Sequence, residues 1–188
     1  MSEADRQSWE ARYATTPAGR PPSEFLQRCL PRLAGGRALD VAAGNGRNAV
    51  LLARAGFEVD AIDISPTALA ALREIAEREG LPIRTVEADL EHAPLPAGCY
   101  DLAVNIRFLQ RSLFAPLADC LRRNGHLVFE TFLLPQRQTG HPSNPDYLLA
   151  PGELQRVFAG MEILEYEEGL VAGETGNAWL ARLLARKR

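Results

Sequence analysis

A chain of 188 residues suits one domain with a sizeable core, and 46% hydrophobic with 24% charged residues is ordinary for a globular protein. The formal net charge of −3 gives no electrostatic reason to bind nucleic acid, and the basic cluster from Arg182 to Arg188 is short and terminal. Cys29, Cys99 and Cys120 form no C-x-x-C pair, no apolar run approaches the roughly 18 residues of a membrane span, and the charged N-terminus lacks a signal-peptide core, so a cytoplasmic location with no membrane partner is expected.

Residues 2–14 and 23–34 read as short helices, with Ser2 and Ser23 as N-caps and a break from Pro17 to Pro22 between them. They form an N-terminal helical cap, residues 1–34, on a core of residues 35–188. The core opens with a strand from Arg37 to Ala42, a turn at Gly44-Asn45-Gly46, a helix from Arg47 to Ala55, and a strand from Phe57 to Ile62 that ends in Asp63. Ser65-Pro66 is an N-cap with proline at the first helical position, and the helix it starts stops at Gly80. A third strand, Pro82 to Ala88, ends at Asp89. Pro94, Pro96 and Gly98 then mark a loop.

Tyr100 to Asn105 is the fourth strand and Ser112 to Arg123 the helix after it. Asn124-Gly125 turns the chain into a fifth strand, His126 to Phe132. The polar, proline-bearing stretch 134–151 reads as a lid-like loop, because such a length without structure of its own is uncommon unless it covers a site. Met161 to Glu168 and Asn177 to Ala185 are two strands joined through Gly169, Gly173 and Gly176.

This alternation predicts an α/β fold: a doubly wound, mostly parallel seven-stranded sheet in a single domain, with an antiparallel C-terminal strand pair. Ligands of such sheets bind beyond the carboxyl ends of the strands. The rule gathers the Gly44 turn, Asp63, Asp89 and Asn105 to Arg107 around one crevice. Glycines at the first turn of a βαβ unit, with an acid nineteen positions after Gly44, make a nucleotide-binding device. Gly44, Gly46 and Ala49 also fit the loose dinucleotide pattern, so the unit alone leaves both cofactor classes open.

The run Ala38-Leu39-Asp40-Val41-Ala42-Ala43-Gly44-Asn45-Gly46-Arg47-Asn48 is followed in order by Asp63-Ile64-Ser65, Ala88-Asp89-Leu90, Tyr100-Asp101-Leu102 and Gly125-His126-Leu127. This set resembles the class I S-adenosylmethionine-dependent methyltransferases, and most nearly their tellurite-resistance (TehB-like) branch. Ala43 stands where that branch often has cysteine, a small-for-small exchange. The resemblance implies S-adenosyl-L-methionine as cofactor. It assigns Asp40 to the α-ammonium and Gly44 and Gly46 to close backbone approach, with Ala42, Asn45, Arg47 and Asn48 also at the cofactor. It gives Asp63 the ribose hydroxyls, Asp89 the adenine amino group, and Ile64 and Leu90 the two faces of adenine. Asn105 would meet the methionine end through its carbonyl. Trp9-Glu10-Ala11-Arg12-Tyr13 resembles the branch's W-x-x-R-Y segment, which implies that Trp9 or Tyr13 shields the sulfonium. A dinucleotide gives Asp40 and Asp89 no role.

For the methyl acceptor, Asn105-Ile106-Arg107-Phe108 lacks the prolines of the motif common in enzymes that methylate nucleobase or amide nitrogens. Asn144-Pro145-Asp146-Tyr147 lies beyond the fifth strand and is read as loop. Arg107 and Arg111 could hold an anion, Glu130 and Thr131 end the fifth strand, and His141 and Tyr147 lie in the 134–151 loop, His141 as a possible base. The expectation is a methyltransferase acting on a small molecule, a thiol or a chalcogen oxyanion, with no metal. An NAD(P)-dependent oxidoreductase and a non-catalytic S-adenosylmethionine-binding module are the alternatives.

Overall fold

Apolar runs separated by glycine and proline breaks fold into one mixed sheet. The computed structural model describes residue 10, residues 20–172 and residues 176–188. Its strands are β1 (Gly36–Val41), β2 (Phe57–Asp63), β3 (Ile83–Glu87), β4 (Tyr100–Ile106), β5 (Leu121–Phe132), β6 (Glu162–Val171) and β7 (Ala178–Arg186), in the order β3-β2-β1-β4-β5-β7-β6. Pairings from β3 through β5 are parallel, and β7 runs antiparallel to both β5 and β6. The mostly parallel sheet and the antiparallel finish are as the sequence predicts.

Side chains alternate across the sheet, so adjacent residues feed opposite cores. Ala38, Leu102, Val104, Val128 and Leu184 pack under α1 (Glu24–Cys29), α2 (Arg47–Arg54) and α3 (Pro66–Glu79), which contribute Phe25, Leu26, Leu52 and Leu72. Leu39, Ala103, Leu127, Phe129 and Leu183 face the other way, against Phe114 and Leu117 of α4 (Phe114–Asp119) and Leu154 of α5 (Glu153–Val157). Phe114, Phe129 and Phe158 interlock there with ring centroids 5.7–6.0 Å apart. The helix starts obey local chemistry. Ser23 Oγ accepts from the Leu26 amide and Ser65 Oγ from the Ala68 amide, Pro66 opens α3, and Gly80 closes it at φ 63°.

Three local expectations change. The helix expected over Ser112–Arg123 is a 3₁₀ turn, Arg111–Leu113, followed by the short α4, and β5 begins at Leu121. Leu113, Leu117 and Leu121 have helical spacing, but Leu121 is fully buried against β4, paired with Tyr100. The register then jumps to Leu102 opposite His126, so residues 122–125 bulge out; Asn124 takes φ 65° and its amide donates to the Lys187 carbonyl at 2.9 Å.

The 134–151 stretch has structure of its own: 3₁₀ turns at Leu134–Gln138 and Pro145–Tyr147. Leu149 donates to the Phe132 carbonyl at 2.8 Å and Leu134 to the Leu149 carbonyl at 2.9 Å, which pins both ends. Buried Leu148 and Leu149 anchor the far end, and α5 follows it, a helix too short for periodicity to reveal. The helix expected over residues 2–14, with Trp9 and Tyr13, falls outside the described residues except for Glu10, as does Gly173. Among the described residues no helix is long and apolar enough to cross a membrane.

Candidate cofactor and acceptor crevice

The sheet order reverses between β1 and β4, and the carboxyl ends of these strands open the crevice expected at a switch point. On the β1 side, Asp40 lies under the first turn of α2 and is 1% exposed. Burial pushes its carboxyl up to about 7, with Asp63 adding to the rise; the charge of Arg47 and the Ala49 amide act the other way. Its Oδ2 is buried without a hydrogen-bond partner among the described residues. An unsatisfied buried acceptor is costly, so this oxygen is suited to a donor from outside the chain.

Beyond Asp40 the backbone coils tightly. Ala42, Gly44 and Gly46 have φ of 53°, 56° and 81°, and the Ala42 value strains an L-residue. A Cβ on Gly46 would fall 2.2 Å from Leu72 Cδ1, so this glycine also lets the turn pack on α3. Asp63, ending β2, is buried and bridges two turns. Its Oδ2 accepts the Gly44 amide at 2.7 Å and its Oδ1 the Ser65 amide at 2.9 Å. Burial raises its pKa, against the lowering pull of those amides. Each oxygen keeps a further lone pair.

Arg47 and Asn48 spend side-chain bonds on the chain itself. Arg47 Nη1 donates to the Pro21 carbonyl at 3.0 Å, and Asn48 Oδ1 accepts the Ser23 amide at 3.0 Å, strapping residues 21–23 across the start of α2. Burial and the nearby Arg107 charge lower the Arg47 pKa, while Glu130 and Asp40 act the other way. Glu10 accepts from Thr67 Oγ1 at the start of α3.

Asp89 follows β3 on a surface turn, accepting the Glu91 amide and facing His92 Nδ1, each at 3.0 Å. Asp89, Glu91 and His92 place ligand atoms within 4.8 Å of one another, on a turn these hydrogen bonds already organise. Leu90 is buried in the core, and Ile64 is half-buried.

On the β4 side, Asn105 lies opposite Val41, and its Nδ2 donates to the Phe108 carbonyl at 2.8 Å, closing the turn after the strand. Arg107 occupies that turn at φ 61°. Its amide donates to the Glu130 carbonyl at 2.7 Å, its Nε to Glu130 Oε1 at 3.0 Å, and its guanidinium lies 4.6 Å from the Phe132 ring centroid. Glu130, 2% exposed, also accepts Arg182 Nε at 2.7 Å on its second oxygen. Thr131 is buried.

Arg111 is fully engaged: Nε and Nη2 grip Glu153 at 2.7 and 3.0 Å, and Nη1 and Nη2 donate to the Asp146 and Leu148 carbonyls. It ties the 134–151 segment to α5. His141 and Tyr147 are exposed on that segment. Sequence reading overlooks Arg182 and the Ser23–Asn48 strap. The only available signal is an arginine inside the apolar run Ala178–Ala185.

The methyltransferase domain family matches residues 38–125, from β1 to the bulge in β5. In the solved structures, TehB from Haemophilus influenzae superposes with a TM-score of 0.80 at 23% identity, covering 96% of this chain and 67% of that one. This chain resembles the class I S-adenosylmethionine-dependent methyltransferases. Two curated relatives extend the likeness. Hemagglutinin 1 of Eikenella corrodens is 29% identical over 152 residues, 77% of this chain and 50% of its own length. The probable S-adenosyl-L-methionine-dependent methyltransferase TehB of Haemophilus influenzae (strain ATCC 51907) is 27% identical over 165 residues, 81% of this chain and 57% of its own. The chain thus spans between 50% and 57% of the length of these two relatives.

Proposed function

We propose that this chain is an S-adenosylmethionine-dependent methyltransferase acting on a small-molecule acceptor, with a thiol or chalcogen oxyanion as the preferred class. The orphaned Oδ2 of buried Asp40, at the mouth of the glycine turn, carries the reading. A ligand α-ammonium would give that oxygen its missing donor and place a positive charge against a carboxylate. Asp63 would accept the ribose hydroxyls on the lone pairs left by Gly44 and Ser65. A dinucleotide would leave Asp40 unanswered, which disfavours the oxidoreductase alternative.

The cofactor, when bound, supplies a methyl group already activated on a sulfonium. The chain contributes alignment and exclusion of water. With a thiol, the proton leaves to solvent and the thiolate sulfur forms the new bond to the methyl carbon. The old carbon–sulfonium bond breaks with its electron pair, which leaves a neutral thioether. So soft a nucleophile needs little help from a base.

Calorimetric titration with S-adenosylhomocysteine, with NADH as comparator, tests the cofactor site. Binding of the first alone, lost in Asp63→Ala, is expected. No binding at millimolar concentration, or a variant identical to the parent, would overturn the proposal. Labelled methyl transfer to thiols and tellurite tests the acceptor class, and turnover of any acceptor removes the non-catalytic alternative.

A further inference from the structure

We infer that Arg107 receives an oxyanionic group of the acceptor and that Glu130 is the positioning residue that aims it. The inference deepens the methyltransferase proposal and rests on it for the identity of the reaction. Its first support is placement. The cofactor-facing groups Asp40, the Gly44 turn and Asp63 come from β1 and β2, one half of the switch-point crevice. The other half is built by the end of β4, where the chain turns through Arg107 at φ 61°. Arg47 couples the halves electrostatically, because it senses Asp40 on one side and Arg107 and Glu130 on the other. An acceptor approaching a methyl group on the β1 side enters past β4, and Arg107 stands there.

The second support is what Arg107 leaves open. Arg111 uses all its guanidinium nitrogens on Glu153 and two carbonyls. Arg182, with a side chain 8% exposed, is held between Glu130 and Glu167. Arg107 is bound to Glu130 through Nε alone, and its terminal nitrogens make no hydrogen bond to the described residues. Its side chain is 32% exposed, with one face over the Phe132 ring. A guanidinium fixed at Nε with both ends open presents parallel N–H donors, the geometry that takes two oxygens of a carboxylate or other oxyanion.

The third support is charge. The single carboxylate of Glu130 lies between Arg107 and Arg182, and the guanidinium of Arg47 lies nearby. Glu130 divides its charge between two guanidiniums while Glu167 also faces Arg182, so among the described residues Arg107 has no carboxylate to itself. An oxyanion would complete the balance, while its nucleophilic atom extends toward the β1 half. Left-handed backbone at a residue other than glycine persists only where surroundings enforce it, and the Arg107 amide bond to the Glu130 carbonyl at 2.7 Å is that enforcement.

Two matched thiols test this: mercaptoacetate, which carries a carboxylate, and neutral mercaptoethanol. Arg107→Gln should raise KM for mercaptoacetate about tenfold or more, leaving KM for mercaptoethanol and the affinity for S-adenosylhomocysteine as in the parent. Arg107→Lys should recover part of the loss, since it keeps the charge but not the fork. Glu130→Gln should shift the same KM in the same direction, with the affinity for S-adenosylhomocysteine retained. The Arg107 variants decide the matter if that buried change prevents folding. An equal effect of Arg107→Gln on both thiols, or on neither, overturns the inference. Titration of methylthioacetate and of tellurite onto parent and Arg107→Gln protein, with and without S-adenosylhomocysteine, reads binding without turnover. Binding of either anion that weakens in the variant supports the inference and identifies the oxyanion as organic or inorganic. Binding of neither by the parent overturns it. Failure of S-adenosylhomocysteine itself to bind would instead overturn the methyltransferase proposal.

Discussion

Asp63 Oδ2 accepts the Gly44 amide at 2.7 Å, so the acid that ends β2 fastens the turn that ends β1. Its other oxygen accepts the Ser65 amide that opens the next helix. One buried carboxylate thus sets the relative position of both turns at the crevice.

Asp63→Asn keeps the shape but leaves one acceptor oxygen, so an NH₂ group faces either the Gly44 or the Ser65 amide. Stability should fall by about 1–3 kcal/mol, the cost of an unsatisfied buried donor. Affinity for S-adenosylhomocysteine should fall more than about tenfold, as the ribose acceptors are lost as well. Urea unfolding and calorimetry on the same preparation separate the effects; intact affinity in a destabilised variant would assign Asp63 to the fold alone.

Asp40 gives a pH signature. Its folded pKa, about 7, lies above the ordinary carboxylate value of 3.8, so the folded state holds its proton where the unfolded chain has released it. This group therefore makes stability fall as pH rises between those values, by up to about 1.4 kcal/mol per pH unit, with no further fall above the upper one. The difference between parent and Asp40→Asn in urea midpoints from pH 4 to pH 8 isolates this contribution, which should appear as a slope in the parent only. Cofactor affinity should move oppositely, strengthening as Asp40 ionises toward neutral pH.

Gly46→Ala places a methyl group 2.2 Å from Leu72 Cδ1 at a backbone φ of 81°. Overpacking and left-handed strain together should cost about 2–5 kcal/mol. Leu72→Ala in the same chain removes the clash but not the strain. The double variant should therefore be more stable than the sum of the single losses, by at least about 0.5 kcal/mol. Strict additivity would mean that the turn had moved off α3.

Arg111→Ala releases the Glu153 carboxylate and the Asp146 and Leu148 carbonyls together. Amide exchange across residues 144–150 should accelerate, with that at β1 and β2 unchanged, and proteases should cut first within 137–147. Slow exchange retained in that segment would show that buried Leu148 and Leu149 hold it alone.

The parallel core was legible because its signals are local: Ser65-Pro66 and Gly80 mark both ends of α3, and glycines bracket α2. The Gly44–Asp63 pairing was legible as spacing, though the sequence does not reveal that Asp63 also pins the turn. Leu121 misleads because its helical spacing after Leu113 and Leu117 yields to a long-range pairing with Tyr100. The Glu130 cluster was half legible. Arg107 and Glu130 were visible at strand ends, but the register that sets Glu130 opposite Arg182 is fixed by strands distant in sequence.

β7 lies between β5 and β6, and β6 joins the sheet only through it. The chain makes β6 first, so that strand must wait, unpaired, for the strand that follows before it can attach. Until then β5 exposes a long open edge, with Leu127 and Phe129 on one face and Val128 on the other, a template for adventitious pairing. Assembly therefore runs out of order with synthesis, and inserting β7 closes two seams at once. That makes the step slow to begin, because its contacts are non-local, and cooperative once begun.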